Sequence, residues 1–257
     1  MARRKRSAVL TVRSPKYYGW LPDIPDSRDL LYRAIRPRLR LPQSVDLREK
    51  ASAVEDQRAL GSCTAQALAG NIELLDKKTD GLYTDVSRLF IYYNERALLD
   101  TVSTDSGAML RDGIKTLHAQ GVCAEKSWPY VLSKFANKPP QKCYEEAKVH
   151  TITSYHRLSG LNDMLTCLAE GFPFVFGISV FESFESAQVA KSGVVQLPKK
   201  GERMIGGHAV MAAGYDRAAE RLLVRNSWGK SWGMKGYFSL PFAYTETLAS
   251  DFWTIRK

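Results

Sequence analysis

Three residues of this sequence, a cysteine, a histidine and an asparagine, have types and contexts suited to nucleophilic chemistry. Cys63 follows a Gly-Ser turn and precedes a run of helix-forming residues, with Gln57 six positions upstream. His208 stands between Gly-Gly and Ala-Val, and Asn226 is followed by Ser-Trp-Gly. A thiol near neutral pH is only a few per cent ionised, so a nucleophilic Cys63 needs an imidazolium neighbour and the positive end of a helix dipole. The three residues together predict acyl transfer through a thiolate.

The expected roles follow from where these residues stand. In the first turn of a helix, Cys63 lies among backbone N–H groups that have no partner within the helix. Those N–H groups and the side-chain amide of Gln57 can stabilise the oxyanion of an acyl-transfer reaction. Asn226 can fix the tautomer of His208 through a hydrogen bond to the far ring nitrogen.

Each residue also has a structural interpretation when taken alone. A cysteine on a helix is commonly a small buried apolar residue, and an asparagine before Ser-Trp-Gly is typical of a turn. A histidine followed by Ala-Val can be a structural residue of a strand. The spacing favours catalysis, because positions 63 and 208 are separated by an interval within the ~130–150 residues typical of one group of thiol-dependent hydrolases.

The flanking sequences resemble the papain-like cysteine peptidases of the bacterial type. The segments that carry this resemblance are residues 41–48, 57–65, 104–109, 127–130, 226–233 and 236–238. The resemblance implies a cysteine-type endopeptidase that forms a thioacyl-enzyme. Cys63 would be the nucleophile and His208 the base. Asn226 would orient His208, and Gln57 would belong to the oxyanion hole.

The same resemblance implies a set of substrate contacts. Gly107 would pair through its backbone with an extended substrate. Met109, Gly177 and Ala209 would line the pocket for the residue two positions before the scissile bond. Because these lining residues are uncharged, we expect the pocket to take a bulky apolar side chain. Trp228 would shield the hydrogen bond between the histidine and the asparagine.

Two positions depart from the family pattern. Leu60 stands where a half-cystine is usual, and Thr64 stands where an aromatic residue is usual. The missing cystine favours the bacterial relatives over the lysosomal or secreted eukaryotic branch. Neither change removes a catalytic group.

The remaining cysteines, Cys123, Cys143 and Cys167, lack the dense spacing of a disulfide scaffold. Two states stay open for them: buried thiols, or a disulfide between Cys123 and Cys143. No pair of cysteines or histidines has the spacing of a zinc site, so we expect no metal and no other cofactor.

The apolar pattern predicts two structurally different lobes. Helical spacing marks residues 63–77, 86–99 and 109–120 within a helical lobe, residues 41–150, that carries the nucleophile. A β-rich lobe, residues 151–257, carries the histidine and the asparagine; it has one helix near 161–169 and strand-like runs at 174–180, 208–214, 221–225, 236–240 and 252–255. We therefore expect an α+β, two-lobed papain-like fold, with a helical left lobe, an antiparallel β-barrel-like right lobe and the active site in the cleft between them.

The basic charge of the chain is concentrated in residues 1–40. The net charge is +10, and this segment contains 11 basic and 3 acidic residues. The basic run at residues 3–6 favours a solvated tail, with contacts to phosphates or lipids as the alternative. Because the rest of the chain is nearly neutral, we expect no specific nucleic-acid partner.

Residues 1–40 also contain large apolar side chains that need a surface to pack on, namely Tyr17, Tyr18, Trp20, Leu21, Ile24, Leu30, Leu31 and Tyr32. Two placements are open. The segment can lie in or beside the cleft as an extended strap that acts as a short autoinhibitory pro-segment. Alternatively, it can be a structural strap on the back of the β-rich lobe.

No segment has the apolar core of ~7–15 residues of a Sec signal peptide or the ~18 apolar residues of a membrane span. We expect a cytoplasmic protein, or one exported without a Sec signal, that is a monomer and acts on a peptide or protein substrate. Two other functions could use the same residues: a Cys-His-Asn acyl transferase or amidase acting on a non-protein amide, and a non-catalytic peptide-binding module.

Overall fold

The computed structural model describes residues 18–33 and 39–257, so the basic residues 3–6 and Tyr17 lie outside the described part of the chain. The fold is α+β and two-lobed, as predicted. Most helices lie in the first lobe and most strands in the second. The helices are α1 (Cys63–Asp80), α2 (Arg88–Ala97), α3 (Leu110–Gln120), α4 (Gln141–Ala147), α5 (Leu161–Ala169), α6 (Ala187–Ser192) and α7 (Phe242–Thr247).

The main sheet is antiparallel and has seven strands. The long strand β6 (Met204–Asp216) lies at its centre, between β5 (Phe174–Phe181) and β7 (Arg221–Arg225). The other strands of this sheet are β2 (Ser44–Asp46), β4 (Ser154–Arg157), β8 (Tyr237–Pro241) and β9 (Ala249–Arg256). The full order is β4-β9-β5-β6-β7-β8, and β2 also pairs with β6. In the described residues β4 and β8 end this path without pairing to each other, so the sheet is not closed into a barrel.

Helix α1 is the element on which the two lobes meet. It packs against β6 on one side and against α2 and α3 on the other, so its residues 63–76 are buried. Small residues allow this close packing: a Cβ added at Gly70 would lie 2.9 Å from Nε of Arg225. The helix ends at Gly81, whose φ of 75° and bond to the carbonyl of Lys77 form a left-handed C-cap.

A polar network that is buried within the protein fixes the loop before α1. Arg88 of α2 pairs with Glu73 of α1 at 2.8 Å, and both side chains are almost fully buried. Glu73 also accepts a hydrogen bond from the Ser52 hydroxyl. Arg225 of β7 donates to the carbonyl of Ser52 at 2.7 Å. The network therefore joins both lobes to the chain that leads to the nucleophile.

The described residues of the N-terminal segment, which we call the strap (residues 18–33), begin in the cleft at residues 18–21 and continue along β4 at residues 30–32. Strand β1 (Trp20–Leu21) pairs in parallel with β3 (Ala108–Met109) of the helical lobe. Further along, Tyr32 N donates to the carbonyl of Arg157 in β4 at 2.8 Å. Residues 18–21 therefore lie in the cleft, and residues 30–32 lie at the edge of the β-rich lobe.

The sequence pattern predicts the long elements and misses the short ones. Helix α5 and strand β7 have the predicted bounds, and α1 to α3 and β5 to β9 lie within a few residues of theirs. Helices α4, α6 and α7 have seven or six residues, too few for a clear helical period. Strand β4 has the sequence SYHR, which shows no apolar alternation, and it is held by its pairing with β9.

All four cysteines are buried thiols, and no disulfide joins Cys123 to Cys143. In residues 18–33 and 39–257, no helix has the length and apolar character needed to cross a membrane.

The buried ion pair generates a prediction about stability. Arg88→Met leaves the Glu73 carboxylate buried without its cation, and we expect a loss of ~3–5 kcal/mol in the free energy of unfolding, measured with urea. The matched control is Arg203→Met, because Arg203 pairs with Glu182 at the surface and exposed pairs contribute at most ~1 kcal/mol. The double variant Glu73→Gln/Arg88→Met should be more stable than Arg88→Met. Equal losses for Arg88→Met and Arg203→Met would contradict this prediction.

Candidate active site

The candidate nucleophile lies at the bottom of the cleft. Cys63 is the first residue of α1, and its side chain is fully buried. Its Sγ accepts a hydrogen bond from the backbone N of Ala209 at 3.3 Å. The N-cap Ser62 makes no side-chain cap bond, so it does not occupy the first-turn N–H groups that an oxyanion would need.

The candidate base and its orienting residue lie on adjacent strands of the other lobe. His208 is in β6 and Asn226 directly follows β7, and Nε2 of His208 lies 2.8 Å from Oδ1 of Asn226. The indole of Trp228 stacks on the imidazole, with 5.1 Å between ring centroids and 28° between planes. The hydrogen bond between His208 and Asn226 is therefore buried under an aromatic ring, where water competes little for it.

Gln57 is held in one orientation beside these residues. Its Nε2 donates to the carbonyl of Leu60 at 2.8 Å, and its Oε1 accepts from the hydroxyl of Ser227 at 2.6 Å. Tyr130, from the segment 127–130, donates to the carbonyl of Gln57 at 2.9 Å and lies 2.5 Å from the hydroxyl of Ser62. These contacts tie the turn before the nucleophile to the asparagine segment.

The strap covers the candidate nucleophile and base. The carbonyl of Gly19 accepts from Ala108 N at 2.8 Å, and the backbone N–H of Gly19 lies near Cys63, where it lowers the pKa of the thiol. The ring of Tyr18 meets His208 edge-on, at 6.1 Å between centroids. Strap residues 18–20 therefore exclude water from Cys63 and His208.

This covering changes the acidity of the nucleophile. Sequence reasoning alone predicts a lowered pKa, but burial raises the pKa of the Cys63 thiol to about 11, and N–H groups of Ala209, Gly19 and Thr64 oppose the shift only in part. The reason is desolvation, because a thiolate beneath the strap would lose its hydration. In this closed state the candidate nucleophile is a neutral thiol at pH 7.

Of the predicted pocket residues, Gly177 lies against the indole of Trp20. Gly177 and Ala209 are paired across β5 and β6, and a Cβ added at Gly177 would lie 1.9 Å from Cε2 of Trp20. A Cβ at Gly207, which the sequence analysis does not identify, would lie 2.8 Å from Cε3 of Trp20. Met109 of β3 is paired with Leu21 of β1, the strap residue that follows Trp20. The structure therefore pairs Gly177 with Ala209 beside Trp20, and it pairs Met109 with the next strap residue.

An acidic residue at this pocket escapes the sequence analysis. Oδ2 of the buried Asp251 accepts from Nε1 of Trp20 at 3.2 Å and from the backbone N of Asp23 at 2.8 Å. Burial, and then the nearby carboxylate of Asp23, raise the pKa of Asp251. Arg157 lies 3.5 Å from its other oxygen. The only signal in the sequence is an acidic residue directly before an apolar run.

Gly107 of the helical lobe lies against the backbone of the strap. Its φ is +72°, and a Cβ there would lie 2.2 Å from the carbonyl oxygen of Gly19. Its N–H donates to the hydroxyl of Tyr92 at 3.2 Å. Tyr92 donates to Asp105, whose carboxylate also accepts from Gly61 N at 3.0 Å. The sequence analysis also misses Tyr92 and Asp105. Their hydrogen bonds fix the Gly107 segment relative to the turn before Cys63.

Comparison with known proteins identifies the family. Residues 41–247 match the family described as papain family cysteine protease. The chain belongs to this family. It is a cysteine protease, a hydrolase, and its similarity to a bacterial member confirms the bacterial type that the sequence predicts. That member is xylellain, a cysteine protease from Xylella fastidiosa, whose structure is 41% identical with a TM-score of 0.87 over 97% of this chain and 99% of xylellain.

Other relatives extend the similarity beyond bacteria. An uncharacterized peptidase C1-like protein of Acanthamoeba polyphaga mimivirus is 42% identical over 93% of this chain and 86% of its own length. Chymomexicain of Jacaratia mexicana is 32% identical over 79% of this chain and 89% of its own length. Procathepsin B of Trypanosoma congolense shares the fold, with a TM-score of 0.72 at 19% identity over 93% of this chain and 86% of that one.

Proposed function

We propose that this cysteine protease is an endopeptidase in which Cys63 is the nucleophile, His208 the acid–base residue, Asn226 its orienting residue and Gln57 part of the oxyanion hole. The observation that most supports the proposal is the contact between the first residue of α1 and strand β6. The Sγ of Cys63 bonds to the backbone of Ala209, next to a histidine whose Nε2 is 2.8 Å from Asn226.

The reaction has two steps in this proposal. The Cys63 thiolate attacks the peptide carbonyl carbon, and the electron pair of the C=O bond moves to oxygen, where first-turn N–H groups and Gln57 stabilise it. The oxyanion collapses as the C–N bond breaks, and the His208 imidazolium gives its proton to the leaving amine. His208 then takes a proton from water, which attacks the thioacyl carbonyl; the C–S bond breaks, the acid product leaves and the pair of Cys63 thiolate and His208 imidazolium is restored. Asn226 holds the imidazole in one tautomer throughout.

We also propose that the strap inhibits this site within the chain. Three observations support it: Gly19 lies against the nucleophile, Trp20 fills the pocket and Tyr18 lies against the base. The backbone N–H of Gly19 is the strap group that lowers the pKa of Cys63, while the carbonyl of Gly19 is bonded to Ala108. A carbonyl carbon in attack position is required for cleavage, so this arrangement blocks the site and protects the strap.

The side chain of Trp20 indicates the substrate class. By resemblance, Gly177, Ala209 and Met109 line the pocket for the residue two positions before the scissile bond. An indole fits this space, and Asp251 accepts its N–H. We propose that the pocket takes bulky apolar side chains, with tryptophan among the best, and that it disfavours charged ones because of their desolvation.

The catalytic roles predict a pattern of activity loss. Cys63→Ser and His208→Ala should each lose nearly all peptidase activity, and the double variant should be little worse, because the two residues act as a unit. Asn226→Ala should retain more activity than either. Gln57→Ala should raise the acylation barrier by ~2.7–4 kcal/mol, as removal of one oxyanion donor does.

Turnover of a quenched fluorescent peptide and labelling by an epoxide or iodoacetamide measure these effects. The control is Cys167→Ala, which removes a buried thiol outside the site and should keep both signals. Labelling that is lost in Cys63→Ala, without turnover of any member of a peptide library, would favour an acyl transferase or amidase. Labelling that is unchanged in Cys63→Ala would remove the catalytic assignment.

Inhibition by the strap predicts activation by a single substitution. Trp20→Ala should weaken strap binding by ~1.5–3 kcal/mol, the amount typical of a buried large apolar side chain, and raise peptide turnover by about tenfold or more. Its pH profile of alkylation by iodoacetamide should also move to lower pH, because a hydrated Cys63 has a lower pKa than the buried thiol. Leu30→Ala is the control, since Leu30 is an exposed strap residue. Equal turnover for wild type and Trp20→Ala would exclude inhibition.

The pocket predicts a ranking of substrates. Peptides that differ only two positions before the scissile bond should rank Trp, Phe and Leu far above Asp and Lys, measured as kcat/KM in the Trp20→Ala background. Gly177→Glu should depress cleavage of the Leu peptide and improve that of the Lys peptide. If Asp or Arg peptides are the best substrates of the enzyme without Gly177→Glu, the pocket assignment is wrong even where the catalytic residues are right.

A further inference from the structure

A buried carboxyl group lies directly beneath the first turn of α1. Glu95 belongs to α2 and is fully buried. Its Oε1 accepts a hydrogen bond from the hydroxyl of Thr64 at 2.6 Å, and Thr64 is the residue that follows Cys63. The family pattern has an aromatic residue at position 64, so the contact between Thr64 and Glu95 is a feature of this chain rather than of the family pattern.

Glu95 has no ion-pair partner among the described residues, and the charge of the nearby Arg96 offsets the effect of burial only in part. No salt bridge among residues 18–33 and 39–257 includes Glu95, and its Oε2 has no hydrogen-bond partner. The neighbouring guanidinium of Arg96 is directed to backbone carbonyl groups instead. There is also little room beside Oε2, because a Cβ at Gly113 of α3 would lie 2.7 Å from it. A carboxylate in this position would be both desolvated and unpaired.

We propose that Glu95 is a neutral carboxylic acid in the working enzyme and a positioning residue for Cys63, holding the first turn of α1 through Thr64 without placing a negative charge beneath the thiolate. The inference rests on the proposed role of Cys63 as nucleophile. It assigns a task to a residue that does not touch the substrate.

The physical argument concerns charge near the positive end of α1. The partial positive charge of a helix N-terminus stabilises a thiolate, and an anion at the same end reduces that stabilisation. A neutral acid still accepts the Thr64 hydroxyl through its carbonyl oxygen, so the mechanical contact does not require ionisation. Leaving one O–H of a neutral acid without an acceptor costs less than burying an unpaired carboxylate.

The acidities agree with this geometry. Burial raises the pKa of Glu95 to about 8; Thr64 and Arg96 lower it in part, and Asp112 of α3 raises it further. The charge of Glu95 in turn raises the pKa of Cys63. Glu95 is therefore neutral below about pH 8, and above that pH it releases a proton to solvent and disfavours the thiolate.

The test is the pH dependence of Cys63 alkylation by iodoacetamide in the full chain. At pH 6, where Glu95 is neutral, Glu95→Gln should react within about twofold of the wild type, because the amide keeps the contact with Thr64. At pH 9.5 it should react about three- to tenfold faster than the wild type, since a difference of one unit in the pKa of Cys63 is tenfold in thiolate. Glu95→Ala, which loses the contact, should react more slowly than Glu95→Gln at both pH values.

Superimposable profiles of wild type and Glu95→Gln from pH 5 to 10 would overturn the inference, as would a Glu95→Gln variant as slow as Glu95→Ala at pH 6. Thr64→Val provides a second variant that keeps the carboxyl. The Thr64 hydroxyl stabilises the charged form of Glu95, so its loss should raise the pKa of Glu95. The change of slope near pH 8 in the wild-type profile of alkylation rate should then move to higher pH, and an unmoved change of slope would also overturn the inference. Labelling that persists in Cys63→Ala would instead overturn the nucleophile assignment, which separates the two failures.

Discussion

The contact between the strap and the nucleophile turn requires that no side chain stand between the two backbones. A Cβ at Gly19 would lie 1.6 Å from the carbonyl oxygen of Gly61, and one at Gly107 would lie 2.2 Å from that of Gly19. The same condition holds in the pocket, where Gly177 and Gly207 leave the space that the indole of Trp20 occupies. Glycine at these positions thus allows a substrate-like segment to lie flat in the cleft, so the architecture that would admit a substrate also admits the strap.

The closed cleft combines this fit with an electrostatic effect. Removing water from Cys63 raises the pKa of its thiol, so in the proposed inhibition the strap would both occupy the site and keep Cys63 in its neutral form. The catalytic pair of a cysteine protease is an ion pair of thiolate and imidazolium, and an ion pair is most sensitive to loss of hydration. Inhibition by the strap would therefore act on the chemistry as well as on access.

Sequence reasoning places the long elements correctly because their signal is local, and it misses features that depend on distant contacts. Cys63, His208 and Asn226 stand in distinctive contexts, and long elements such as α1 and β5 show their periodicity within a few turns or residues. By contrast, Asp251 reaches the pocket only because Trp20 and Asp23, more than two hundred residues earlier, bond to it. From the sequence of its own helix, Glu95 would be predicted to lie at the surface. The packing of α1 and α3 buries it. No local pattern in the sequence contains these pairings.

Three groups at the strap, Tyr18, Cys63 and Asp251, have raised pKa values while the strap is closed, and they couple its release to pH. Burial, with Glu185 next, raises the pKa of Tyr18; burial raises that of Cys63, and burial with Asp23 raises that of Asp251. A group whose pKa is raised in the closed state stabilises that state below its open-state pKa, and the contribution disappears as pH rises through the closed-state pKa. Each group therefore releases its proton on strap opening only at pH values between its open-state and closed-state pKa, and in that range acid favours closure. Through these groups acidification does not promote opening of the strap, because a raised pKa stabilises the closed state on the acid side.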